Sequence, residues 1–208
     1  MDNMFENEFT DELKQDYLTS AVDGFNFSVD NFGIDVLING IPSKVLLKNK
    51  KNGNDKEISA KINEIHVGDL IEMNSQKWLI VDLPVENEIY SKATLRRCNT
   101  YFPIIQNRTR ELIGYDGDER PTYSYSFETY SEPCIASTTY PTGNDNEQLP
   151  LPEGTIDITI KYQMADNIAV NENFQIYSEN YETVSIDYTK VIDSVGVMTI
   201  RGRREVSG

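Results

Sequence analysis

In 208 residues the chain has one histidine (His66), two cysteines (Cys98 and Cys134) and one tryptophan (Trp78). That scarcity excludes several chemistries. A structural zinc site needs more Cys and His ligands than these. His66 could serve a triad, but no Gly-x-Ser-x-Gly elbow and no Cys–His arrangement accompanies it, so a structural role is expected. There is no phosphate-cradling Gly-x-x-x-x-Gly-Lys and no dinucleotide fingerprint. No stretch reaches the roughly 20 apolar residues of a spanning helix. The opening Met1-Asp2-Asn3-Met4-Phe5-Glu6 lacks the basic start and apolar block of a signal peptide. Synthesis in a cytoplasm is therefore expected, with two buried thiols rather than a disulfide. On that reading the sequon matches at Asn26-Phe27-Ser28 and Asn107-Arg108-Thr109 are chance.

Positive charge is also in short supply: 19 Lys and Arg face 34 Asp and Glu, for a net charge of −15. Grip on nucleic acid relies on cations that neutralise phosphates, and adhesion to anionic membranes needs the same sign. Both are disfavoured. The charges are unevenly spread. Residues 1–40 carry nine acids against Lys14 alone, a net of −8, whereas residues 41–61 carry six lysines against Asp55 and Glu57, a net of +4. Arg201, Arg203 and Arg204 form a small basic tip beside Glu205. Such blocks read either as solvated surface or as complementary ends that meet across subunits.

Carboxylates are plentiful, yet no pair stands out as the acid and base of a hydrolase. Asp116 and Asp118 offer hard oxygens to calcium but lack the rest of an EF-hand loop, so Tyr115-Asp116-Gly117-Asp118 reads as a plain turn. No enzyme, metal or cofactor is expected.

What the chain does have is strand chemistry: twelve Tyr, eight Phe and many Ile and Val, which suit a pleated, half-buried surface. The exception is the start. Phe5, Phe9, Leu13 and Tyr17 recur every fourth residue among polar neighbours and predict a short amphipathic helix, either a lid on its own domain or an outward docking arm. From Phe25 the pattern changes. Ile34 to Ile38 leads into Asn39-Gly40, the strongest short hairpin signal, with Val45-Leu46-Leu47 returning and a polar loop over Lys48–Lys56. Gly68–Met73 and Lys77–Asp82 flank Asn74-Ser75-Gln76 as a second hairpin, with Trp78 anchoring the first core. Tyr123 to Tyr130 alternates aromatic and polar residues, predicting a strand with one sticky face. Thr142–Asn146 reads as a loop and Pro150-Leu151-Pro152 as a stiff connector. Alternation returns at Ile156, Ile158, Ile160 and Tyr162, at Phe174–Tyr177, at Val184–Tyr188 and at Gly196–Ile200. The expected fold is mainly β: one or two small β-barrel or sandwich units preceded by a short N-terminal amphipathic helix. The boundaries fall at a helical arm over 1–22, a first β unit over 23–102 and a second over 103–208.

One run carries a family resemblance. Ile65-His66-Val67-Gly68-Asp69, Trp78-Leu79-Ile80, Tyr90-Ser91-Lys92-Ala93 and Arg97-Cys98-Asn99 follow in an order similar to the head–tail connector, or head-closure, proteins of siphophages of Gram-positive hosts. Leu151-Pro152-Glu153-Gly154-Thr155, Ile168, Asn173-Phe174, Tyr188 and Gly196–Ile200 resemble their second half, although that family usually has Arg-Phe at Asn173-Phe174. The resemblance spans about residues 30–203. It implies a β-barrel-like virion subunit that forms a ring beneath the portal and joins head to tail. Its partners would be copies of itself, portal or adaptor proteins and tail-side proteins. DNA would be only non-specific cargo in a channel whose acidic lining repels phosphate, and no membrane is involved.

On that reading the contact elements are the helix, through Phe5, Phe9, Leu13 and Tyr17, the loop lysines Lys48, Lys50, Lys51 and Lys56, and the C-terminal Arg201, Arg203 and Arg204. A glycan-binding β-sandwich of a tail tip or baseplate is the alternative, motivated by Tyr123, Tyr125 and Phe127. A carboxylate-dependent hydrolase ranks third.

Overall fold

A computed structural model describes residues 3–51, 53–139 and 154–205; the expected loop over Thr142–Asn146 and the connector Pro150-Leu151-Pro152 lie outside the described residues. The chain is mostly β and divides after Arg97 into two compact units.

The first unit begins with helix α1 (Asn3–Phe32). The expected short helix thus runs ten residues beyond 22, and the reason is tertiary. Leu18, Ala21, Val22 and Phe25 are half-buried, Val29 is fully buried, and the Phe25 ring stacks on Tyr90 at 4.9 Å. These contacts hold Phe25–Phe32 helical although its apolar residues carry little periodicity by themselves. Asp30 fixes the last turn by pairing with Lys61 at 2.8 Å, and its carbonyl accepts from Lys44.

Seven strands follow: β1 (Ile34–Ile38), β2 (Ile41–Asn49), β3 (Asp55–Ala60), β4 (Leu70–Met73), β5 (Gln76–Ile80), β6 (Val85–Glu86) and β7 (Ser91–Arg97). All their pairings are antiparallel, and β3 bonds both β2 and β7 while β7 bonds β5, β5 bonds β4 and β4 bonds β1. Six strands therefore close into a small barrel with no free edge between them. The short β6 extends the β5 side of β7 by pairing with Ser91 and Lys92. Closure turns alternate residues inward, and Val36, Ile38, Val45, Ile58, Ile71, Trp78, Ile80 and Leu95 form the core. Both expected hairpins are present. Asn39-Gly40 and Asn74-Ser75 each put two successive residues at positive φ, the twist that a two-residue connection of right-twisted strands requires.

The second unit is a six-stranded antiparallel sheet in the order β11-β12-β13-β10-β9-β8. Its strands are β8 (Thr100–Tyr115), β9 (Pro121–Thr139), β10 (Thr155–Lys161), β11 (Asn173–Ile176), β12 (Glu179–Ile192) and β13 (Val195–Arg204). The sheet curls until its two edges meet. Phe102 of β8 lies 5.2 Å from Phe174 of β11, which stacks on Tyr181. Ile104, Ile156, Ile158, Ile160, Met198 and Ile200 fill the interior, as the alternation predicts. The β8 edge is sealed by a loop rather than a strand. Asn167, almost wholly buried, accepts from the Ile105 amide at 2.9 Å and donates to the Pro103 carbonyl at 2.7 Å. One side chain thus satisfies an edge donor and an edge acceptor that burial would otherwise leave unpaired.

Candidate interaction surfaces

Two elements extend beyond the packed cores. The first is the N-terminal half of α1. A helix turns about 100° per residue, so Leu18, Val22, Phe25 and Val29 share the side that sits on the barrel. Leu13, Asp16, Tyr17, Asp23 and Phe27 fall on the opposite side. All five are exposed, Leu13 at 55%, Tyr17 at 73% and Phe27 at 61%. Phe5 and Phe9 belong to the same helix, but their side chains lie outside what the structure describes. Of the two readings of this helix, lid or arm, the exposed face fits the arm and the C-terminal turns fit the lid.

The second is the tip of the β8–β9 hairpin. Among the described residues β9 bonds β10 only through Ile135–Thr139, and β8 beyond Gln106 has β9 alone as a strand neighbour. Thr109 to Ser126 is therefore a two-stranded ribbon, about 20 Å long at roughly 3.3 Å per residue. Its faces differ. Arg110 pairs with Tyr125 and Leu112 with Tyr123 in register, which places them on one face with Phe127; Thr109, Glu111, Ser124 and Ser126 occupy the other. The expected sticky face is there, with Tyr125 at 57% and Phe127 at 53% exposure. Tyr123 is partly covered by the Arg110 guanidinium, 3.3 Å above its ring. Tyr130 has the opposite parity and belongs to the body of the sheet. Its hydroxyl donates to Gln163 at 2.7 Å, and burial, with Glu132 nearby, raises its pKa. At the ribbon tip Asp116 accepts from the amides of Asp118 and Arg120. That carboxylate builds the turn. Among the described residues no three His, Cys, Asp or Glu converge in a way that could hold a metal ion.

The basic residues divide into engaged and open groups. Lys56 lies over the Trp78 ring at 5.1 Å and its ammonium contacts Asn49, so it serves its own barrel. Lys50 donates to Thr94 at 2.8 Å. Lys48 faces Glu57 in register, but Glu57 is taken by Lys92 at 2.9 Å, a hydrogen bond that raises the lysine pKa. Lys48 and Lys51 are exposed, and Arg97 joins them, its amide donating to the Asn54 carbonyl of the same turn. None of these three has a carboxylate partner among the described residues. Sequence reading missed Arg97, because only the β3–β7 pairing brings it to the β2–β3 turn.

The arginines of β13 are not a free basic tip. Arg201 binds Asp157 through two bonds of 2.7 and 3.1 Å, Arg203 meets Glu182 at 3.0 Å, and Arg204 meets Glu179 at 2.6 Å. The cross-strand register of β13 with β10 and β12 supplies these acids, and the Asp157 bond holds the Arg201 pKa above its ordinary value. His66 marks the β4 start, where its amide donates to Asp69 at 2.7 Å.

Fold and surfaces together define a class: a two-unit β protein with one closed barrel, one curled sheet and two projecting elements whose apolar faces are exposed among the described residues. Residues 4–97 match the YomX N-terminal domain and residues 99–203 the YomX C-terminal domain, so the seam between the matches coincides with the seam between the units. The chain belongs to the YomX family. It is 27% identical over 182 residues to the SPbeta prophage-derived protein YomX of Bacillus subtilis (strain 168), covering 82% of each chain. No solved structure matches. Among the described residues no helix is long and apolar enough to cross a membrane.

Proposed function

We propose that the chain is a non-enzymatic virion protein of a tailed bacteriophage, a ring subunit at the head–tail junction that joins portal-side to tail-side proteins. The observation that carries this reading is the Thr109–Ser126 ribbon. A two-stranded hairpin is marginal in water by itself, and this one exposes Leu112, Tyr125 and Phe127 along one face. Another protein that covers the face would complete it. The prophage origin of the Bacillus subtilis relative supports the phage setting. The net charge of −15 suits a conduit that lets DNA pass without gripping it. The test is a phage deleted for this gene, viewed by negative stain: filled or leaking heads without tails are expected, and normally tailed particles would overturn the assignment.

A second reading is a glycan-binding module of a tail tip or baseplate. The exposure of Tyr125 and Phe127 favours it, since open aromatic faces stack on sugars. A glycan array with no bound sugar would remove it.

A further inference from the structure

We infer that the free face of α1 in one copy of this chain docks on the basic β2–β3 turn of a second copy. The inference names the partner of a contact surface and rests on the multi-copy reading above.

The helix carries two faces with different tasks. Leu18, Val22, Phe25 and Val29 seat its C-terminal turns on the barrel, while Leu13, Tyr17 and Phe27 face away and are more than half exposed. Asp16 and Asp23 lie on that same outward side, both exposed and with no cation partner among the described residues. The free face is thus apolar and acidic together. At 1.5 Å per residue, Leu13 stands about 24 Å along the helix from Val29. A rigid rod seated by one side cannot turn its other side onto the barrel that holds it. Among the described residues nothing covers that face.

The same unit presents the complement. Lys48 lies near the end of β2 and Lys51 in the β2–β3 turn, and the Arg97 backbone amide is tied to that turn by a hydrogen bond to the Asn54 carbonyl. The one carboxylate placed opposite Lys48, Glu57, is spent on Lys92. An acidic, partly apolar rod and an open basic turn on different surfaces of one unit make a heterologous pair, the contact type that closes rings. With three open cations at this turn on a chain of net charge −15, an acidic protein surface fits the turn better than DNA does.

Charge reversal in the full-length chain tests this. Asp16→Lys/Asp23→Lys alters the helix, and Lys48→Glu/Lys51→Glu alters the turn; all four positions are exposed, so folding is not at stake. Sedimentation velocity at low salt is expected to show concentration-dependent self-association of the native chain, weakened as salt rises. Each variant alone is expected to associate at least about tenfold more weakly, because like charges then oppose each other. An equimolar mixture of the two variants is expected to regain association, since each then offers the complement of the other. Leu13→Ala/Tyr17→Ala should weaken association with the charges intact. A native chain that stays monomeric at every concentration, variants that associate like the native chain, or a mixture that does not recover would each overturn the inference. So would salt-sensitive binding of a short DNA duplex that is lost in the turn variant while copies of the chain stay apart. These solution results are independent of the deletion phenotype, so docking and the virion assignment can fail separately.

Discussion

The side-chain amide of Asn39 donates to Asp69 at 2.7 Å, while its carbonyl oxygen accepts from the Leu70 amide at 3.1 Å. The β1–β2 turn is thereby bound to the start of β4, thirty residues away. Asp69 is buried and also accepts from the His66 amide. Asp69→Ala would leave two donors facing an apolar methyl, at a cost of about 1–3 kcal/mol. Urea denaturation should show that loss in the midpoint. His66→Ala should shift it by less than about 0.5 kcal/mol, because the His66 side chain is more than half exposed.

The local half of that arrangement was legible in the sequence. Asn39-Gly40 announces a two-residue hairpin, and the alternation through Ile156–Ile160 announces a half-buried strand. What joins distant segments was not. Nothing near Asp69 indicates that Asn39 is its partner, and nothing near Arg201 indicates Asp157, because cross-strand neighbours are set by the register of the whole sheet. Phe25–Phe32 is helical through contacts with Tyr90 and Lys61 that no local pattern contains. The ribbon's sticky face was readable from Tyr123, Tyr125 and Phe127, but not that the strand outruns its sheet.

Gly202 in β13 is held to hydrogen by its neighbours. A Cβ there would sit 2.5 Å from Phe174 Cζ and 3.1 Å from Tyr181 Cβ. Gly202→Ala is therefore expected to destabilise the second unit by about 1–3 kcal/mol through overpacking. Phe174→Leu in the same background should recover part of the loss by removing the atom in conflict, as read from thermal midpoints.

The two thiols should differ in reactivity. Burial pushes the Cys134 pKa well above the ordinary thiol range, with Cys98 and Glu132 adding to the shift. Since the thiolate is the reactive form, Cys134 should stay unlabelled by a disulfide-exchange reagent at mildly alkaline pH. In a Cys98→Ser variant, labelling is expected only after denaturant unfolds the chain. Rapid labelling of native protein would contradict the buried position.

The helix anchor should weaken at high pH. The hydrogen bond to Asp30 raises the Lys61 pKa above its ordinary value, against a smaller opposing effect of desolvation. A group raised in the folded state stabilises fully below its unfolded pKa and loses that contribution as pH climbs through the folded value. Helical circular dichroism should therefore decline at alkaline pH beyond the ordinary lysine range. In Lys61→Gln the decline with pH should be smaller, starting from a helix already less firmly seated.

The ribbon separates stability from assembly most cleanly. Tyr125 and Phe127 are more than half exposed and touch neither core, so Tyr125→Ser/Phe127→Ser should change unfolding free energy by less than about 0.5 kcal/mol per site. If the face is completed by a neighbouring virion protein, phage carrying the pair should accumulate soluble, folded subunit and tailless heads. If it is a sugar platform instead, particles should form with tails and fail at adsorption. Electron micrographs and an adsorption assay on the same lysate distinguish these outcomes, and infectious phage at native titre would show that the face has no essential partner.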